Sequence, residues 1–307
     1  MKKIIFSMLL TLSLIPLHSL ASENVSENAG WDAYLGGDYQ AAYHQWLPIA
    51  QQGNAEVQHM MGFMYLEGQG VERDFAQAKQ WFENAAANDY IAAKFAIGTL
   101  YENGQGVAID KEVALRFYKE AALAGFIHGQ FYLGLQYTNG DLVEQDENQA
   151  FSWFRLAADA GDPAAQYYVA SFYQKGVGVV QNIESALEWF QQAANQNLAD
   201  AQIELGKLYF EGNQVTQDTF LAMEWFFRAA ANGDIEAQYT LGRLYSEGSE
   251  SGDILRNPHL ANKWLRLATD QGHALARNEL ENLKRIQANN RKKYPPLLRN
   301  SLYNRYG

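Results

Sequence analysis

The sequence predicts an all-α fold, a curved stack of tandem helix-turn-helix repeats, about seven helix pairs in all. Three observations predict it. Gly62, Gly98, Gly134, Gly206 and Gly242 lie on a 36-residue period, with Ala170 in the missing place. Tyr65, Tyr101, Tyr137, Tyr173, Tyr209 and Tyr245 keep the same spacing without exception. Asp74, Asp110, Asp146, Asn182 and Asp218 follow at that spacing too, and Asn257 takes the role in the last unit after a three-residue insertion. Self-similarity at such a period marks a stack of supersecondary units. One helix pair cannot bury its own apolar faces, so the units must stack.

The elements follow in order along the chain. Lys2 and Lys3 precede an apolar run from Ile4 to Leu17, and Ser19-Leu20-Ala21 offers small residues at a cleavage site. Residues 1–21 are expected to be a signal peptide cut after Ala21, since the run is shorter than the ~20 residues a spanning helix needs. Residues 22–54 form a shortened repeat that keeps Asp38, Ala42, Trp46 and Ala50. Six full units are expected at 55–90, 91–126, 127–162, 163–198, 199–234 and 235–273. A capping helix follows at 274–290, and residues 291–307 make a basic, aromatic tail.

Each landmark has a physical role. Ala55 to Glu67 carries apolar residues at helical spacing, which predicts helix A of the first full unit. Gly68 and Gly70 end it, because a left-handed cap costs glycine no steric strain. Asp74 opens helix B, its carboxylate accepting from a free backbone amide. In the last unit Asn257 caps and Pro258 takes the first helical position. The landmark glycine inside helix A costs about 1 kcal/mol against alanine, so its recurrence implies a close approach by a neighbouring helix. The aromatic landmark of helix B (Trp81, Phe117, Trp153, Trp189, Trp225, Trp264) and the Ala-Ala pair that closes each unit are expected to fill the space between A and B.

Charge and composition narrow the function. The body from Ser22 to Leu283 holds 15 basic and 35 acidic residues, whereas the chain from Lys284 onward holds seven basic residues and no acid. An acidic body argues against nucleic-acid binding, which needs a basic surface. With no cysteine there is no lipid-anchor residue at the cleavage site, no disulfide and no thiol nucleophile. His44, His59, His128, His259 and His273 fall at different places in different units, and no two are spaced as a helical metal pair. The GxG pairs, such as Gly68-Gln69-Gly70, follow a helix rather than a strand and lack the lysine of a phosphate loop. No serine sits on a strand-to-helix elbow. The expectation is a non-enzyme with no cofactor and no metal.

The repeat resembles the Sel-1-like repeat, a relative of the tetratricopeptide repeat. In the second full unit the matching residues are Ala93, Gly98, Leu100-Tyr101, Gly104, Gly106-Val107, Asp110, Ala114, Phe117-Tyr118, Ala121-Ala122 and Gly125. The resemblance implies a right-handed superhelical solenoid that assembles or adapts other proteins. Exported bacterial members are similar to host-interaction, envelope-assembly and motor-associated factors. A cysteine-rich bacterial branch is linked to β-lactam binding and hydrolysis, which makes a cell-wall or β-lactam-like binder or hydrolase the alternative reading. That branch braces its repeats with disulfides, which this chain cannot form. The leading expectation is a periplasmic or secreted, non-spanning scaffold that binds a protein partner.

In this repeat class helix A lines the inner wall. The variable helix A positions that share one face read Glu56, Met60, Phe63; then Ala92, Ala96, Thr99; then His128, Tyr132, Leu135; then Ala164, Tyr168, Ser171. Later they read Asp200, Glu204, Lys207 and Glu236, Thr240, Arg243. The candidate partner-binding residues are Met60, Phe63, Tyr132, Leu135, Tyr168, Glu204, Lys207 and Arg243. Two readings stand: a groove with an apolar and a polar half, or an apolar stripe that is ordinary packing between units. In the tail, Arg291, Lys292, Lys293 and Tyr294 suit an acidic partner, an anionic envelope surface or the chain's own acidic body; a frayed terminus is the alternative.

Overall fold

The computed structural model describes residues 25–249 and 252–293, and those residues form helices joined by short turns, with no strand among them. The expected signal peptide (1–21) and the tail from Tyr294 lie outside the described residues. No helix of the described residues is long and apolar enough to cross a membrane.

Helices up to Gly161 form one compact unit and those from Asp162 a second. In the first, α1 (Val25–Leu35) and α2 (Tyr39–Gln51) make the shortened repeat; α3 (Ala55–Glu67), α4 (Phe75–Ala87), α5 (Ile91–Asn103), α6 (Lys111–Leu123), α7 (Ile127–Asn139) and α8 (Glu147–Asp159) make three full ones. In the second, α9 (Pro163–Lys175), α10 (Ile183–Asn195), α11 (Ala199–Glu211), α12 (Thr219–Ala231), α13 (Ile235–Glu247) and α14 (Pro258–Asp270) are paired likewise, and α15 (Ala274–Lys293) closes the series. Within each unit every helix packs chiefly on its neighbours in sequence, and α13 also touches α15.

The punctuation of each repeat is visible in its backbone. Gly68 ends α3 at φ 72°, ψ 36°, its amide donating to the Met64 carbonyl. Asp74 then caps α4 by accepting from the amides of Ala76 and Gln77. The turn between them is closed by the Asp74 amide donating to the Tyr65 carbonyl at 3.0 Å. The same bond joins Asp110 to Tyr101, Asp146 to Tyr137 and Asp218 to Tyr209. The recurring tyrosine and aspartate are therefore the two ends of one turn. The enlarged loop alters the last cap: Gly248 sits at φ 77°, ψ 177° instead of in the left-handed helical region.

The landmark glycine lies beneath an aromatic ring of helix B. A methyl on Gly134 would come within 2.6 Å of Phe154 Cδ1, and one on Gly98 within 2.7 Å of Tyr118 Cε1. Here the sequence expectation needs correcting by one residue. The rings that fill the space between A and B are Phe82, Tyr118, Phe154 and Phe190, all fully buried. Trp81, Phe117, Trp153 and Trp189, the aromatic landmark itself, are only half-buried. Two adjacent aromatic residues both fit an apolar stripe, and the cavity left by the glycine decides which is enclosed. In α12 and α14 both members are buried.

A second recurring contact was not anticipated. Gln58, Gln130, Gln166, Gln202 and Gln238 are all buried in the first turn of a helix A. Gln58 Nε2 donates to the Ala50 carbonyl at 2.9 Å, and Gln202 Nε2 to that of Ala194 at 2.9 Å. Gln130 and Gln238 bond Ala122 and Ala230 alike. Each amide thus adds a second donor to a carbonyl at the end of the preceding helix B, which also accepts from a backbone amide of the following turn, Gly53 for Ala50 and Asn197 for Ala194. The Gln58 oxygen also accepts from Asn88 Nδ2, and that of Gln238 from Gln271 Nε2, both at 2.9 Å. One glutamine therefore ties three successive helices.

Candidate functional site

In the first unit the candidate wall is core. Met60, Phe63 and Tyr132 are 2%, 3% and 6% exposed. Ala96 and Thr99 on the same face are buried too, and Leu135 is half-buried. Phe63 packs edge-on against Phe82 with ring centroids 5.2 Å apart. Tyr132 donates its hydroxyl to Glu102 Oε2 at 2.8 Å, and Tyr118 donates to the same oxygen at 2.6 Å. Burial, and next the Glu102 charge, push the Tyr132 hydroxyl pKa far up; burial and then its neighbour Tyr132 do the same to Tyr118. Both phenols therefore stay protonated as donors. Burying an unpaired carboxylate is costly, so this bonding holds Glu102 and the two rings as one packed cluster.

Beside that cluster lies a residue the histidine survey treated as ordinary. His59 is 2% exposed, with Phe63, Phe82 and Tyr90 around it at centroid distances of 4.8, 5.3 and 4.9 Å. Neither ring nitrogen has a hydrogen-bond partner. Burial lowers its pKa to about 3. At the same place in the later repeats stand Phe95, Phe131, Tyr167, Ile203 and Tyr239, so His59 occupies a core column otherwise filled by aromatic or aliphatic side chains.

In the second unit the wall carries exposed charge. Lys207 and Arg243 are exposed; Glu204 and Tyr168 are half-buried. Lys207 Nζ donates to Glu204 Oε1 at 2.7 Å, and both residues line a depression of about 310 Å³ with Gln174, Glu211 and Gln214. Arg243 is not part of that depression. Asp200, though it reaches the surface, has its carboxyl pKa raised by partial desolvation, then by Asp234 and Glu204. Farther along, Glu236 meets His273 Nε2 at 3.0 Å, whose ring stacks on Tyr239 at 4.5 Å. Among the described residues no group of three or more His, Asp or Glu side chains is arranged to hold a metal ion.

The tail residues divide. Arg291, Lys292 and Lys293 belong to the last turn of α15, which runs three residues past the expected end at 290. Tyr294 lies outside the described residues. A further surface escaped the sequence reading altogether. Phe220, at the start of α12, is 89% exposed, and Leu255, in the enlarged loop, is 78% exposed. With Met223, Ile254 and Tyr245 they line a groove of about 510 Å³. The available signal was Phe220 itself, since the equivalent positions hold Ala76, Glu112, Asn148, Glu184 and His259.

The comparisons with known proteins agree with this architecture. A family model described as Sel1 repeat matches residues 55–90, 91–126, 127–162, 163–198, 199–234 and 235–273. A Sel1 repeat protein from Oxalobacter formigenes is similar in structure, with a TM-score of 0.68 and 30% identity over 80% of this chain and 99% of that one. A protective antigen of uropathogenic Escherichia coli, described as displaying an SLR fold, is 27% identical over 83% of this chain and 63% of that one, with a TM-score of 0.44. A search of curated proteins finds no significant match.

Proposed function

Because the chain belongs to the Sel1 repeat family, we propose that it is an exported scaffold that binds a protein partner through the charged helix A wall of its second unit. The family's fold is typically a non-catalytic protein-interaction scaffold. One observation carries the choice of surface. The face that holds buried Met60, Phe63 and Tyr132 in the first unit holds exposed Lys207 and Arg243, with half-buried Glu204, in the second. A partner can only read what solvent reaches, so the recognising residues are the charged ones. Recognition of this kind steers encounter and weakens with salt.

The test is capture from cell extracts by the wild-type chain and by Lys207→Glu/Arg243→Glu. Exposed substitutions of this type shift stability by only about 0.5 kcal/mol, so the variant should melt with the wild type yet lose its captured partner. The same partner recovered in equal yield by both proteins would contradict the surface assigned. Export is supported by the basic and apolar opening of the sequence, and sequencing the N-terminus of the native protein tests it. Ser22 is the expected first residue; a retained Met1 would refute cleavage.

A further inference from the structure

Helix α12 breaks the repeat pattern on its solvent face. Phe220 and Phe227 lie seven residues apart, two turns along one side of the helix, and are 89% and 51% exposed. The place of Phe220 holds small, polar or charged residues in the other full repeats, and that of Phe227 holds Glu83, Lys119, Arg155, Gln191 and Arg266. The opposite side of α12 is buried in the repeat through Ala222, Trp225, Phe226, Ala229 and Ala230. A helix apolar on both sides is normally covered on both. Here the second side stands in water.

The neighbouring elements extend this side into a strip. Leu255, 78% exposed, shares with Phe220 and Met223 the groove of about 510 Å³. Phe227 packs edge-on against Trp264 of α14 with ring centroids 5.6 Å apart, and Leu267, three residues farther along α14, is 39% exposed. Scattered apolar residues on a surface need no explanation. Four in one strip do: with about 200 Å² for a free aromatic side chain and somewhat less for leucine, they leave roughly 450 Å² in water, the size of patch that marks a contact site.

Three features point to a second copy of this chain as the cover. The strip is self-complementary, since it carries both a groove and a projecting ring, Phe227, about 10 Å along α12 from Phe220. Two strips related by a two-fold axis can each supply what the other receives. The border of the strip carries both signs on every element: Glu224 and Arg228 on α12, Lys263, Arg266 and Asp270 on α14, Asp253 and Arg256 in the loop. The body holds 35 acidic against 15 basic residues, so its copies repel over most faces. Along this border each cation can meet an anion of the other copy, whereas a partner of one sign finds like charges among the unlike. Area agrees as well. Two strips bury roughly 900 Å² of apolar surface, and their charged borders bring the contact within the ~1,200–2,000 Å² of a stable interface.

We propose that two copies of the chain pair through the α12 strip, Phe227 of each entering the groove that Phe220, Met223 and Leu255 line on the other. The charged wall lies on α11 and α13, so either reading can fail without the other.

The test is sedimentation equilibrium of the full chain beside Phe220→Glu/Phe227→Glu. Glutamate already stands at those places in other repeats, as Glu112 and Glu184 for the first and Glu83 for the second, so the variant should keep the fold, which circular dichroism checks. The wild type is expected to pass from one-chain to two-chain mass as its concentration rises, and the variant to raise the Kd of pairing at least about tenfold. Leu255→Thr, which installs the residue found at Thr216 in the preceding repeat, should weaken pairing in the same direction and serves as the test if the double variant does not fold. Benzoylphenylalanine at position 227, in an equal mixture of ordinary and ¹⁵N-labelled chains, should cross-link between the isotopes to peptides that line the groove. A one-chain mass at every concentration would overturn the proposal. So would a two-chain mass that neither variant disturbs, or cross-links that miss the groove, since both place the contact elsewhere. A chain that stays single but binds vesicles of anionic phospholipid through the two rings would assign the strip to a membrane surface and overturn it equally.

Discussion

His59→Phe is expected to stabilise the first unit, and to do so more strongly as the pH falls. The imidazole is 2% exposed among three aromatic rings, and neither nitrogen is hydrogen-bonded. Burial holds its pKa at about 3, against 6.5 for an ordinary histidine. Between those values the unfolded chain takes up a proton that the folded chain refuses, so stability is lost as the pH drops from 6.5 towards about 3. The slope is at most ~1.4 kcal/mol per pH unit, which amounts to about 2 kcal/mol by about pH 5. Phenylalanine removes that penalty. It also removes two unsatisfied polar atoms, which adds roughly 1–3 kcal/mol at any pH. Hydrogen exchange of peptides from residues 55–90 reads the local opening free energy, and comparing wild type with variant cancels the carboxylates common to both. The gap should widen by about 2 kcal/mol from neutral pH to about pH 5. Parallel pH profiles for the two proteins would refute the reasoning, and so would a variant less stable at both pH values.

Three further outcomes follow from the packing. Gly134→Ala forces a methyl against Phe154 and should lower stability by about 1–3 kcal/mol in urea denaturation, despite alanine's better helix propensity. Gln202→Leu removes the side-chain donor to the Ala194 carbonyl, which keeps the Asn197 amide, and a loss of about 0.5–1.5 kcal/mol is expected although the side chain becomes more apolar. Tyr132→Ala empties a site that is 6% exposed and leaves Glu102 with one donor fewer; a cost of about 3–5 kcal/mol is expected in the same assay. An unchanged denaturation midpoint for Tyr132→Ala would return that residue to the list of recognition candidates.

Much of the fold was legible because single residues recur for single reasons. The capping aspartates and the tyrosines follow from turns that leave the backbone few choices, and the glycines of the 36-residue period follow from a helix B side chain packed against each. The core was legible only to within a residue. Trp81 and Phe82 are neighbours on one apolar face, and which ring enters the space above Gly62 depends on the distance between the helices. The glutamines were missed for a related reason. A polar residue at the start of a helix looks solvated, and only the recurrence of Gln58, Gln130, Gln202 and Gln238 hinted that each meets the equivalent carbonyl. The candidate wall proved hardest to read. Met60 and Phe63 could serve a groove or a core, since both burials look alike along a helix. The decision rests on what the next helix brings against them, and that is a tertiary fact.

The most direct test of the charged wall as recognition surface is hydrogen exchange of the chain with and without its purified, co-captured partner. The account predicts new protection in peptides from 199–211 and 235–247, with no change in 55–67 or 91–103. Protection confined to the first unit, or none in α11 and α13, would contradict it.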